Sequence, residues 1–170
     1  IAEDGEYFSQ KPPQATHMSE AQTPETPVFS IEKIYAKDLS LEIPHAPQIF
    51  LERETPAIEV QLHSEGSGID EGLYQVVLTV TVTAKIGEKT LFLVEVGKAG
   101  IFQIRNVPQD DIEPILSVAC PNILFPYARE TVSDLVTRAG FPPVLLSPVN
   151  FDALYQQRLL AQQTQQPQTH

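Results

Sequence analysis

Through the first half of the chain, hydrophobic and polar residues alternate at every second position, the spacing of strands with one covered face and one wet face. In KDLSLEI, Asp38, Ser40 and Glu42 fall on one side and Leu39, Leu41 and Ile43 on the other; VFSIEKIYA upstream has the same β-type composition, and Pro44 and Pro47 end the strand. A second strand is expected over 58–62, from Ile58 to Leu62, followed by a loop through Gly66, Gly68 and Gly72. The third strand, 73–86, is the longest and most β-branched: Tyr74, Val76, Leu78, Val80, Val82 and Ile86 point one way, and Thr79, Thr81 and Thr83 the other. Gly87 and Glu88 form a short turn into TLFLVEV, which predicts an antiparallel hairpin. On this last strand Phe92, Val94 and Val96 share a face, Leu93 and Glu95 share the opposite one, and Gly97 and Gly100 predict a bulge or bend before the strand resumes over 101–104.

In the second half the period changes. After a loop or short helical turn through Asp110, Asp111 and Ile115, apolar residues recur at three- and four-residue steps: Leu124, Ala128, Val132, Leu135 and Ala139, an amphipathic helix that Gly140 terminates. Glu130 near its start and Arg138 near its end suit the macrodipole, and Asp134 is placed to pair with Arg138. The run CPNILFPYARE, with Pro121 and Pro126, belongs at the helix entrance, because an interior proline removes a hydrogen bond and clashes with the preceding turn. FPPVLLSP is a proline-punctuated connection, and Asn150 caps a second helix bearing Phe151, Leu154, Tyr155 and Leu159. Strands first and helices after predict an α+β fold: a four-stranded antiparallel sheet with a long helix and a C-terminal helix packed on one face.

Residues 1–27 are rich in Pro, Gln, Glu and Thr without apolar periodicity and are expected to be disordered. Within them, 1–17 read as a leader or fused peptide ahead of the start-like MSEAQTPE at Met18, and 18–27 as the native N-terminus. A single domain spans 28–160, and 161–170, rich in Gln and Thr, reads as a flexible tail. A net charge of −11 argues against nucleic acid, whose phosphates require basic patches, and favours basic partners. The lone Cys120 excludes an internal disulfide framework and fits a reducing compartment. No apolar run approaches the ~20 residues needed to span a bilayer, and the N-terminal residues lack the basic start and apolar core of a signal peptide. The cytosol is the expected location, without membrane insertion.

Catalytic and metal-binding readings find little support. His17, His45, His63 and His170 fall in expected loops or tails, with no pair at metal-ligand spacing. The apolar neighbours of Cys120 raise a thiol pKa, so a packed side chain is favoured over a nucleophile. Gly66 and Gly68 lack the third glycine and following helix of a dinucleotide loop. Asp110, Asp111 and Glu113 read as a solvated helix start. Leu93 on a polar strand face and the apolar FPPVLLSP connection point instead to interaction surfaces.

Five stretches, IYAKDLSLEIPHAPQIF, YQVVLTVTVTAKIGEKTLFLVEV, KAGIFQI, CPNILFPYARE and SPVNFDALY, together resemble SecB, the proteobacterial protein-export chaperone family. The similarity runs from Phe29 to about Leu160, is weak around 65–72, and does not cover 1–17. It implies a cytosolic homotetramer, a dimer of dimers with sheets outside and long helices between, that uses no cofactor or nucleotide. Unfolded precursor proteins and SecA, the motor ATPase of the Sec translocase, are the implied partners. The resemblance assigns Asp38, Glu42, Leu93 and Glu95 to docking of SecA's basic, zinc-binding tail, and the alternation independently puts Asp38, Glu42 and Glu95 on wet faces. It makes Tyr127 and the connection from Phe141 to Leu146, with Phe141, Val144, Leu145 and Leu146, candidates for the client groove. Phe92, Val94, Val96, Leu124, Ala128, Val132 and Leu135 form the inner and oligomer-facing set. The uncharged tail QQTQQPQTH departs from the family and weakens any tail contact with SecA. A SecB-like chaperone of a toxin–antitoxin system is the alternative, and a small enzyme using Cys120 the competitor from another class.

Overall fold

A computed structural model describes residues 25–164; the rest of the expected N-terminal and C-terminal tails lies outside the described residues. Residues 25–27 are exposed and without regular structure, whereas 161–164, expected to be loose, continue a helix. Four strands, β1 (Val28–Glu42), β2 (Ala57–Asp70), β3 (Leu73–Ile86) and β4 (Lys89–Arg105), form one antiparallel sheet in the order β1-β4-β3-β2. β2, β3 and β4 are successive hairpins, and the 43–56 connection carries the chain from β1 at one edge to β2 at the other.

The register sorts the side chains by face. Leu41, Val94, Val82 and Val60 stand in one row across the sheet and Leu39, Val96, Val80 and Leu62 in the next, all on the inner face. Between them run the outer rows Glu42, Leu93, Thr83, Glu59 and Ser40, Glu95, Thr81, Gln61. The expected alternation of β1, β3 and β4 therefore holds. Two expectations do not. β2 extends from Ala57 to Asp70, well past Leu62, so Gly66 and Gly68 are strand residues and His63 lies in a strand; only Gly72, at φ +68°, is in the turn. Glycine signalled a loop, but Gly66 is needed for packing, since a Cβ there would stand 3.2 Å from the Leu116 Cβ. β4 likewise runs unbroken through Gly97 and Gly100. The register shift at that level lies on the facing strand β1, between Ala36 and Asp38 opposite Gly97, with a second between Ile31 and Lys33. The irregularity of β4 itself is at Leu91 against β3.

One helical stretch follows without a break: α1 (Gln109–Pro114), a single π turn (Ile115–Ala119) and α2 (Cys120–Arg138). CPNILFPYARE is thus not the point where the chain enters a helix. The widened turn ahead of Pro121 accommodates its missing N–H, and Pro126 is exposed, leaving the Asn122 carbonyl on the solvent side. The Asp134 carboxylate accepts from Arg138 Nε at 2.8 Å, as the spacing predicts, and holds that guanidinium's pKa above its ordinary value. α3 (Phe151–Thr164) is capped by Asn150, whose Oδ1 accepts from the Ala153 N–H at 3.0 Å.

α2 crosses the inner face over β4 and β3 and buries Leu124, Ala128, Val132 and Val136 completely. Each four-residue step turns the buried line by about 40°, so contact winds toward Val136 and leaves Leu135 only partly covered. Gly100 permits the close seating. A Cβ there would lie 2.6 Å from Phe102 Cε2 and 3.0 Å from Leu124 Cδ2, inside van der Waals contact with a fully buried ring. On either side of α2 the inner face stays open: Phe29, Ile31 and Leu39 of β1 and Ile58 and Val60 of β2 are each more than 40 % exposed. Gly100→Ala is expected to destabilise the fold by about 1–3 kcal/mol through overpacking. A urea midpoint indistinguishable from that of the parent would refute this seating.

Candidate functional site

Two surfaces gather the residues singled out in the sequence. On the outer face of the sheet, Glu42 is paired in register with Leu93, Ser40 with Glu95, and Asp38 with Gly97, so Asp38, Glu42, Leu93 and Glu95 occupy three consecutive rows of the β1–β4 ladder. Asp38 and Glu42 are exposed, while Leu93 and Glu95 are half-buried among neighbouring strand side chains. Thr81 Oγ1 donates to Glu95 Oε2 at 3.2 Å, which fixes that carboxylate against β3. Opposite Asp38, Gly97 leaves the strand face without a side chain, and a Cβ there would make ordinary contact with the Asp38 Cβ at 3.4 Å. An apolar side chain flanked by carboxylates, one of them fixed, is chemically a seat for a cationic, partly apolar segment.

The second surface is apolar and lies beside the inner face. A cleft of about 640 Å³ opens between the 3-10 turn Gln48–Leu51, the start of β2 and the connection after α2; Ile49, Phe50, Ile58, Phe92, Phe141 and Val144 line it. A neighbouring depression of about 470 Å³ continues along β2 over Val60, Leu62, Phe125, Leu146 and Val149, and shares Ile58, Val144 and Leu145 with the first. The Phe141 ring sits 5.2 Å from that of Phe50 and 5.0 Å from that of Phe92, at the separations where aromatic pairs attract. Gly140 allows this: at φ +91° it ends the helix, and any Cβ would stand 3.3 Å from the Phe50 ring. Leu145, 81 % exposed, forms the crest between the two depressions. Glu52 and Glu54 stand at the rim; Glu52 accepts from Lys89 Nζ at 2.8 Å and holds that ammonium's pKa above its usual value.

The structure brings Phe141, Val144, Leu145 and Leu146 together with Phe92 in this continuous groove but separates Tyr127 from it. Tyr127, 49 % exposed, lies on the flank of α2 that turns toward β1, one turn before Thr131, whose hydroxyl accepts from Lys98 Nζ of β4 at 3.2 Å. Val94, Val96, Leu124, Ala128 and Val132 are buried between the sheet and α2 of the same chain, with Leu135 at the margin. Sequence reasoning missed Ile49, Phe50 and Ile58 as groove residues. An apolar triplet, IFL, stranded between Pro47 and Pro56 in otherwise polar chain, was the available signal for the first two.

Against known proteins, the family model for the preprotein translocase subunit SecB matches residues 22–163. The chain belongs to the SecB family. Among its relatives, the protein-export protein SecB of Dechloromonas aromatica is 65% identical over 138 residues, covering 81% of this chain and 91% of its own. That of Methylobacillus flagellatus is 68% identical over 132 residues, 78% of this chain and 84% of its own. The Thiobacillus denitrificans protein is 57% identical over 155 residues, covering 90% of this chain and all of its own. SecB is a protein-export chaperone of the Sec pathway, and at these identities this chain has that function. A solved Mycobacterium tuberculosis SecB-like chaperone, in complex with an antitoxin peptide, matches with a TM-score of 0.59 over 71% of this chain and 90% of that one. At 15% identity it shares the α+β fold alone, and the toxin–antitoxin alternative is not favoured.

Cys120 is fully buried in the core beneath the π turn, and burial pushes its thiol up to about 12. The native protein should therefore resist thiol-modifying reagents at pH 8 and react stoichiometrically in urea; rapid native labelling would contradict this packing. The native thiol stays neutral while the unfolded thiol ionises above about pH 8.5. Unfolding stability should thus fall by up to about 1.4 kcal/mol per pH unit between there and 12, a slope that Cys120→Ala removes.

Proposed function

We propose that this chain works in the cytoplasm as a homotetramer that holds unfolded precursor proteins along the Phe50–Phe141–Leu145 groove and passes them to SecA through Asp38, Glu42, Leu93 and Glu95. The observation that carries this reading is the division of chemistry between the two surfaces: the groove lining is aromatic and aliphatic, and the outer rows are acidic. An unfolded chain presents apolar side chains at irregular intervals. Several shallow contacts along a groove retain it by avidity without demanding one sequence, and each contact alone is weak enough to release. Carboxylates raise the encounter rate of a basic tail, and Leu93 adds apolar burial once it docks. Because the two sites lie on different faces, a client and SecA can occupy them together, as handover requires. Tetramer formation has support in the open inner-face flank, where Phe29, Ile31 and Leu39 expose apolar surface that a second copy could cover.

Reversing one charge and emptying the groove should separate the two activities. Glu95→Lys is expected to weaken SecA binding about tenfold or more while leaving retention of an unfolded precursor within about twofold. The paired change Phe50→Ser with Leu145→Ser should do the opposite, weakening precursor binding about five- to tenfold with SecA affinity intact. Isothermal titration of each variant against a chemically unfolded precursor and against SecA reads both effects. Parallel loss of both partners in either variant would sink the assignment of separate surfaces.

A further inference from the structure

The outer face of the sheet carries lysines as well as carboxylates, and the proposed docking uses only the carboxylates. Beyond the row of Asp38 and Gly97, the register places Lys33, Ile101 and Gln75 side by side, with Tyr35, Ala99 and Val77 in the row between. The β1 bulge at Ala36/Asp38 turns Lys37 onto this face as well. Its Nζ donates to Gln75 Oε1 at 3.0 Å, and Gln75 Nε2 in turn donates to the Tyr35 hydroxyl. That bond lays the Lys37 ammonium over the row of Lys33, so two cations four residues apart in sequence converge on one strip of sheet.

Like charges brought together cost free energy unless an anion joins them. The chain has 22 acidic residues against 11 basic ones, and among the described residues neither lysine forms an ion pair, as is also true of Arg53, Lys85, Lys98, Arg105 and Arg129. Three carboxylates lie near that strip: Asp38, which directly follows Lys37, Glu32 at the β1 bulge, and Glu65 in the adjoining row. Glu32 accepts from the Ser30 hydroxyl at 2.9 Å, and Glu65, in register with Val77, lies 3.9 Å from His63. Both lysines are exposed, with the half-buried Ile101 beside Lys33 giving the strip an apolar floor.

We infer that Lys33 and Lys37, held over Gln75 and Ile101, form an anion-binding end of the docking face that takes a carboxylate-bearing surface of the partner whose basic tail occupies the acidic end. This rests on the SecA reading. Ile101 stands six steps along β4 from Glu95, about 20 Å at strand rise. The basic tail therefore covers one end, and acidic residues elsewhere on the same partner meet the other. The pair also acts against misdocking: a basic tail laid in the reverse direction would bring its cations onto the two lysines.

The test uses the full chain with Lys33→Glu and Lys37→Glu together, titrated at low salt against full-length SecA and, separately, against SecA's isolated basic tail. Full-length SecA is expected to bind about five- to tenfold more weakly, the tail within twofold of the parent, and the deficit to shrink at 0.3 M salt. The milder pair Lys33→Gln and Lys37→Gln, which keeps both strand positions polar, should lose less in the same direction and guards against a folding defect in the reversal. Unchanged SecA affinity in both variants overturns the inference, as does an equal loss for the isolated tail. Loss of binding to anionic phospholipid vesicles with SecA unaffected overturns it in favour of a membrane partner. Glu95→Lys, read in parallel, reports on the acidic end alone, so failure there is distinguishable from failure here.

Discussion

The seating of α2 on the sheet at Gly100 is the contact on which the other features depend. With no side chain at that position, Leu124 reaches the level of the Phe102 ring, and the helix settles over β4 and β3 rather than at an edge. A larger residue would lift the helix and open the core that buries Val80, Val82, Val94 and Val96. Central seating also decides what stays uncovered. One helix of about 10 Å diameter cannot roof four strands spaced by nearly 5 Å. The inner-face residues of both edge strands are left half-exposed, one set facing the groove beside the Phe141 connection, the other along β1.

From that geometry follows the division of labour between faces. Period-two alternation turns every second residue of β4 outward, so Leu93 and Glu95 reach solvent on the side away from α2 while Phe92, Val94 and Val96 support it. The acidic outer rows and the groove therefore share strands but not surfaces. Phe92 belongs to both the core and the groove wall, and its tilted contact with Phe141 links the end of α2 to the sheet. Apolar side chains this exposed favour indiscriminate aggregation, which a net charge of −11 opposes.

Alternation and helical period made the sheet faces, the hairpin at Gly87, the α2 stripe and the Asn150 cap legible in the sequence, because each is set by neighbours within a turn or a strand pair. Glycine misled where its purpose was tertiary. Gly66 makes room for Leu116 and Gly100 for α2, requirements that arise only once distant segments meet. The prolines of CPNILFPYARE suggested a helix entrance because the π turn that absorbs Pro121 has no local signature. Groove residues Phe50 and Ile58 escaped notice for a similar reason. They join Phe141 only because the 43–56 connection passes over the end of the sheet, and no short-range period encodes that path.

The connection after α2 holds Phe141, Val144, Leu145 and Leu146 in a chain that contains Pro142, Pro143 and Pro148 and no helix or strand. Ring-locked φ angles leave such a segment little conformational freedom even without a hydrogen-bonded lattice. A groove wall of this kind has already lost most of its backbone entropy before anything lands on it. The ordering cost of an encounter then falls almost entirely on the incoming chain, which is left loose between its anchor points. On the proposed reading, stiffness in the holder leaves the held polypeptide free to remain unfolded between anchor points.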